Sequence, residues 1–276
     1  MPEITPNDDQ QEGLDKISTW LDDPNAAQTF ALGGLAGTGK STIIPHAMRI
    51  ARAKGFDTAI AAPTGKAVSV INKKFGRQVA STIHRLVYTP VDERKSGRLD
   101  LLGREEYEPV VAEGGEVGDK VLFIDEASMV NEATYYRLLD VADRICFIGD
   151  HGQLPPVKEG RSLSLRNLDH ELTQIMRQRG DSPILDFAYD VRGGGSLNRP
   201  PKGVWHHRFR TLHDIADCAA EHGADLVIAA SNKIRHTVSQ RMRSSLGFSG
   251  KYPQEGERII ALATFYGGGD RDVFNG

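Results

Sequence analysis

Cysteine is scarce in this 276-residue chain: two occur, Cys146 and Cys218, in apolar or helical surroundings and without metal-ligand spacing. A disulfide framework and a zinc site are therefore excluded as organising devices, and both residues read as buried thiols. Long apolar runs are missing too. Nothing approaches the length of a membrane span, and residues 1–11 are polar rather than a secretory leader, so no membrane partner is expected and the expected compartment is the cytoplasm. Net charge is only −3, which argues against a surface that is basic throughout; a nucleic-acid partner would have to be held by a local groove. Internal repeats and long low-complexity tracts are absent as well.

What the chain does have is regular punctuation. Strand-like runs at 29–32, 58–62, 121–124 and 145–148 alternate with helical stretches, the pattern of an α/β fold with a parallel sheet wrapped by helices. Each run ends at a candidate site: a glycine loop, Pro63-Thr64-Gly65-Lys66, Asp125-Glu126, and Gly149-Asp150. Open α/β sheets bind ligands beyond the carboxyl ends of their strands, so these four segments are expected to converge on one crevice. Later, a helix over 212–222, a strand over 226–230, a helix over 233–246 and a strand over 258–264 suggest a further α/β unit. The Gly-, Pro- and Arg-containing stretch 192–210 connects it to the first, reading as a solvated connector despite Trp205.

The glycine loop, Gly34-Leu35-Ala36-Gly37-Thr38-Gly39-Lys40-Ser41, fits G-x-x-x-x-G-K-[ST]. Backbone N–H groups can close around phosphate oxygens only where side chains do not obstruct, and the following helix aims its positive end at the same place. Lys40 is expected to bridge the β- and γ-phosphates and Ser41 to ligate Mg2+. The nucleotide-binding set is then Gly34, Ala36, Gly37, Thr38, Gly39, Lys40, Ser41 and Thr42. Asp125, directly after an apolar strand, is the candidate second metal residue, and Glu126 the candidate base for the attacking water.

Further motifs narrow the class. Gly149-Asp150-His151-Gly152-Gln153-Leu154-Pro155-Pro156-Val157 resembles motif III of superfamily 1 helicases of the RecD/Dda-like, 5′-to-3′ group. Residues 62–68 are similar to motif Ia, 81–86 to motif Ib, Asp125-Glu126-Ala127-Ser128-Met129 to motif II, and Leu172-Thr173-Gln174-Ile175-Met176-Arg177-Gln178 to the segment whose arginine reaches the γ-phosphate. The resemblance implies a RecA-like phosphate-loop fold, ATP and Mg2+ as nucleotide and metal, and single-stranded DNA as partner. By the same resemblance Lys40, Glu126, Gln153 and Arg177 are catalytic, Gln153 senses the γ-phosphate, and Gln10 reads adenine. Pro63, Thr64, Lys66, Thr82 and His84 would touch the DNA backbone. Plainer roles compete for two of these, Thr64 as a helix cap and His84 as a packed histidine.

On this resemblance the chain divides into a motor domain 1A over 1–165, with 89–119 as an inserted 1B hairpin, an incomplete second RecA-like domain (2A) over 166–255, and the beginning of a 2B insertion over 256–276. Motifs V and VI are not found. The expected function is an ATP-dependent helicase motor, represented by its N-terminal portion, with a protein partner as one source of the missing motor motifs. The alternative is a nucleotide-gated module that binds single-stranded DNA with little turnover. A kinase reading fails to explain the motif III segment and offers no acceptor-binding lid.

Overall fold

Side-chain alternation explains why the central strands read as unbroken apolar runs. In β6 (Lys120–Ile124), Val121 and Phe123 join one core while Leu122 and Ile124 join a second. In β7 (Arg144–Gly149), Cys146 and Ile148 take the first core, Ile145 and Phe147 the second. A strand buried on both faces has no polar face to display, which is the signature of a parallel sheet between helical layers.

The computed structural model describes residues 5–90, 107–109, 120–156, 162–176, 183–198, 200–203 and 209–259. Helix α1 (Asp8–Asp22) leads to β1 (Thr29–Gly34), α2 (Lys40–Ala53), β2 (Asp57–Ala62), α3 (Gly65–Phe75), β3 (Ala80–Thr82) and α4 (Ile83–Val87). After β6 come α5 (Glu132–Leu139), β7 and β8 (His170–Leu172). Six strands form one sheet in the order β3-β2-β6-β7-β1-β8, every neighbouring pair parallel. The first core packs residues of α1, α2 and α3, such as Ile17, Ile43, Met48 and Ile71, against one face; Ile83, Val87 and Leu138 cover the other. Within the expected insertion, β4 (Tyr88–Pro90) and β5 (Tyr107–Pro109) pair antiparallel with Tyr88 opposite Pro109; residues 91–106 and 110–119 lie outside the described residues.

The chain divides into two compact units, the second spanning residues 180–260. The boundary expected after residue 165 therefore moves. Its cause is β8, a three-residue strand that pairs with β1, Leu32 opposite His170 and Gly34 opposite Leu172, and buries Leu172 completely. The second unit contains α6 (Pro183–Arg192), α7 (Leu212–Glu221) and α8 (Asn232–Ser245). Helices α7 and α8 pack together and bury Ala216 and Val238, and Asp217 accepts from Arg241 Nε and Nη2 at 2.9 Å each and from Ser245 Oγ at 2.9 Å. Each helix starts on a hydroxyl cap, Thr211 for α7 and Ser231 for α8.

Three expectations need correction. The strand at 226–230 does not form: Leu226 is 65% and Ile228 89% exposed, and no described strand of this unit lies beside them. An extended apolar run becomes a strand only when a neighbour completes its ladder. Arg258 and Ile259 are not strand either, and residues 260–276, with the rest of the expected strand 258–264 and most of the 256–276 segment, lie outside the described residues. Cys218 is only half-buried, its Sγ 3.7 Å from His222 Nδ1, whereas Cys146 is fully buried and burial raises its thiol far above the ordinary range. No helix among the described residues is long and apolar enough to cross a membrane.

Candidate nucleotide and nucleic-acid site

The site grows from the end of β1. Gly39 adopts φ 83°, in the left-handed region, and a Cβ there would run into the Gln10 amide, so glycine is required for the turn and for the approach of α1. Helix α2 starts at Lys40, and no side chain caps its first turn. Its leading N–H groups and positive dipole end are thereby available to an anion. The Lys40 ammonium folds back over the loop, donating to the carbonyls of Gly34 and Leu35 at 2.8 Å each. Thr38 is fully buried and ties the loop together through a 2.9 Å bond from its hydroxyl to Leu35 O.

Strand β6 delivers the acidic pair to the same place. Ser41 Oγ donates to Asp125 Oδ2 at 2.9 Å, and Asp125 Oδ1 accepts from the Glu126 N–H at 2.9 Å. Two hard oxygen donors side by side, one a buried carboxylate, are the donor set that Mg2+ favours, so these residues fit the metal. Glu126 sits at φ 53°, the one non-glycine residue at positive φ among the described residues. The short 3-10 turn Ala127–Met129 that follows holds it there, packed so closely on Gly149 that a Cβ would meet Ala127 N at 3.0 Å and Ser128 N at 3.1 Å. Burial raises the Glu126 carboxyl above its usual range and Asp125 adds to this, while the nearby Lys40 charge opposes it.

The loop after β7 completes the cluster. Asp150 is buried and its carboxylate accepts from Gly152 N at 3.0 Å, shaping the turn that presents Gln153. Gln153 Oε1 then accepts from Ser128 Oγ at 3.3 Å, which links the motif III segment directly to the turn behind Glu126. Ser128 and Gln153 share the wall of a cavity of about 200 Å³ with His151 and Ser162.

Gln10 lies over the loop with both ends of its amide engaged: Oε1 accepts from Asn7 N at 3.2 Å and Nε2 donates to Thr38 O at 3.0 Å, at 2% exposure. Arg177 lies outside the described residues; the residue before it, Met176, donates its N–H to Gly37 O at 2.9 Å. The candidate DNA-contacting residues occupy adjacent strand ends, because Ala62 of β2 pairs with Thr82 of β3, bringing Pro63, Thr64 and Lys66 beside Thr82 and His84. Thr64 is also the cap of α3, its hydroxyl accepting from Ala67 N at 3.2 Å, and His84 is exposed rather than packed in the core.

Some site residues carry no sequence signal. Ser162 Oγ donates toward Ala127 O at 3.1 Å and Val130 O at 2.7 Å, and Ser164 Oγ reaches Ala127 O at 3.0 Å, so two buried serines brace the Glu126 turn from behind. Asp9 leaves only a faint trace as an acidic residue in a helical first turn, yet it holds the exit of β8.

The sequence profile described as AAA domain matches residues 7–198. Among curated proteins, the ATP-dependent RecD2 DNA helicase of Deinococcus radiodurans is 32% identical over 181 residues, 63% of this chain and 23% of that protein. The ATP-dependent DNA helicase Dda of Enterobacteria phage T4 is 32% identical over 179 residues, 59% of this chain and 37% of that protein. The chain thus spans well under half the length of either relative. Among solved structures, the Pif1 helicase from Candida albicans aligns at 20% identity with a TM-score of 0.47, over 86% of this chain and 61% of that one, a likeness too loose to add to the fold. Because the profile match runs from the N-cap of α1 to beyond α6, taking in every element around the phosphate loop, the chain belongs to the AAA domain family and is RecD/Dda-like within it.

Proposed function

We propose that this chain is the ATP-hydrolysing part of a DNA helicase motor that moves along single-stranded DNA in the 5′-to-3′ sense. The observation that carries the reading is the Ser41–Asp125 contact, with Glu126 on the adjoining residue and Gln153 one hydrogen bond from the same turn. In this mechanism Lys40 exchanges the carbonyls of Gly34 and Leu35 for the β- and γ-phosphate oxygens. Glu126 orients a water and takes its proton as the water oxygen bonds to the γ-phosphorus. The bond from that phosphorus to the bridging oxygen breaks, releasing ADP and phosphate. A carboxyl held above its usual range is a better-matched base near neutral pH than an ordinary one. Mg2+, held by Ser41 and Asp125, would neutralise phosphate charge. Arg177 supplies further positive charge, Gln10 lies on the adenine side, and Gln153 passes the state of the γ-phosphate to Pro63, Thr64, Lys66, Thr82 and His84 at the DNA.

A second reading is favoured by one observation: among the described residues the second unit offers helices and no strand, with Ala216 and Val238 its buried apolar residues. A motor steps by closing two rigid halves on each other. The chain would then bind nucleotide and single-stranded DNA with little turnover until a partner supplies the remaining motor elements. ATP hydrolysis measured with and without single-stranded DNA, for wild type and Glu126→Gln, decides between the two. Strong DNA stimulation that the variant loses supports the motor; DNA-dependent ATP binding without turnover supports the gated module; hydrolysis indifferent to DNA overturns both.

A further inference from the structure

The first turn of α1, the exit of β8 and the phosphate loop are joined in a closed triangle. Asp9 Oδ2 accepts from two successive backbone amides, Thr173 N at 2.7 Å and Gln174 N at 3.0 Å. The next residue on the helix, Gln10, donates to Thr38 O at 3.0 Å. The third side is the 2.9 Å bond from Met176 N to Gly37 O. Neighbouring residues of the helix and of the β8 exit thus grip neighbouring carbonyls of the loop, and the Asp9 carboxylate joins helix to exit alongside a 2.9 Å contact from Asn7 Nδ2 to Met176 Sδ. That carboxylate is 13% exposed and lies 3.6 Å from His170 Nε2, whose ring also meets Asp9 O at 3.0 Å. Charge-assisted bonds from two amides to one shielded oxygen are among the stronger local restraints available to a backbone.

We propose that Asp9 is a positioning residue for triphosphate hydrolysis: it fixes the β8 exit against the first turn of α1, so that movement of the phosphate loop on nucleotide binding is transmitted to the segment leading into Arg177. This rests on the hydrolytic reading above. Phosphate binding itself uses the loop and Lys40, which Asp9 does not touch. On the reading that Arg177 meets the γ-phosphate, the β8 exit bears on charge that develops later, in the transition state. Loss of the bracket therefore lowers turnover and spares ground-state affinity.

The test uses the whole 276-residue chain with saturating single-stranded DNA. Asp9→Ala is expected to lower kcat about tenfold with KM for ATP changed less than about threefold, because the segment that the bracket positions acts mainly on charge developing in the transition state. Asp9→Asn, which keeps an acceptor oxygen in the same place, is expected to restore most of the rate. Asp9→Glu keeps the charge but displaces the acceptor by one methylene, and gives the same split with a smaller loss. Hydrogen exchange supplies a readout independent of turnover: ADP is expected to protect both residues 37–40 and the Thr173 and Gln174 amides in wild type, and to leave those two amides unprotected in Asp9→Ala. A lower melting temperature with unchanged kcat, an Asp9→Glu variant equal to wild type, or joint protection surviving in Asp9→Ala overturns the proposal. Should wild type fail to hydrolyse ATP at all, the functional reading falls while the exchange experiment still judges the bracket.

Discussion

In the first unit, Phe123 and Phe147 are fully buried on opposite faces of a parallel sheet; in the second, Leu226 and Ile228 stand 65% and 89% exposed in a run of equal apolarity. The contrast teaches what makes a strand. Residues 121–124 are flanked by β2 and β7, which satisfy every backbone group, so burial of the side chains costs no orphaned amides. Residues 226–229 have no such neighbouring strand among the described residues. The phosphate loop, the Asp125-Glu126 pair and the loop bearing Gln153 all follow the ends of paired strands, β1, β6 and β7.

The sharpest way to break this comparison is at the site. Glu126→Gln is expected to lower DNA-stimulated kcat by about 10²–10⁴-fold, the range for removing a positioned general base, whereas Ile228→Ala in the second unit leaves kcat within about twofold, as an exposed substitution should. Steady-state phosphate release reads both.

Stability gives the next largest difference. Ile148 is fully buried between layers, and Ile148→Ala is expected to cost about 2–5 kcal/mol in urea unfolding. Ile228→Ala is expected to fall within about 0.5 kcal/mol. A comparable cost at the two positions would mean that residues 226–229 are paired in solution.

Gly149→Ala tests how far the sheet positions the base. The new methyl meets the amides of Ala127 and Ser128, at 3.0 and 3.1 Å, as well as Leu165, and must push the Glu126 turn outward. Turnover is expected to fall about tenfold with KM little changed, in keeping with the cost of a small misplacement at the reacting group.

Two carboxylates, one in each unit, are shifted in opposite directions. Glu126 is held above its ordinary value of 4.5, by burial first and by Asp125 second. Its contribution to stability is full below that ordinary value and is lost as pH rises through the raised one. Glu257, hydrogen-bonded by Arg243, is held below 4.5; its contribution is full above the ordinary value and lost as pH falls through the lowered one. Relative to wild type, Glu126→Gln is therefore expected to melt higher at pH 7 and to converge with it toward pH 4. Glu257→Gln is expected to melt lower at pH 7 and to converge only at more acidic pH. Thermal melts across pH 3–8 check both directions.

Local rules settle a good part of this protein. The alternation of apolar runs with helical stretches specifies four of the six sheet strands, since each is a short continuous apolar run set off by polar or turn residues. The glycine spacing before Lys40 likewise specifies a loop that only small residues can close, and an acidic pair after an apolar run specifies where Asp125 and Glu126 emerge. Strands β3 and β8 escape such reading because three residues are too few to show a period, and β8 exists only because β1 offers an edge.

What distance along the chain conceals, tertiary structure decides. Nothing in the sequence announces that Asp9 would accept from Thr173 and Gln174, or that Ser162 and Ser164 would brace the turn behind Glu126, because these pairs lie 164 and 165, and 35 and 37, residues apart. The same holds for residues 226–230, whose composition favours a strand but whose fate depends on a neighbour. Periodicity and turn chemistry act within a few residues, whereas hydrogen-bond satisfaction and burial are settled only when remote segments meet.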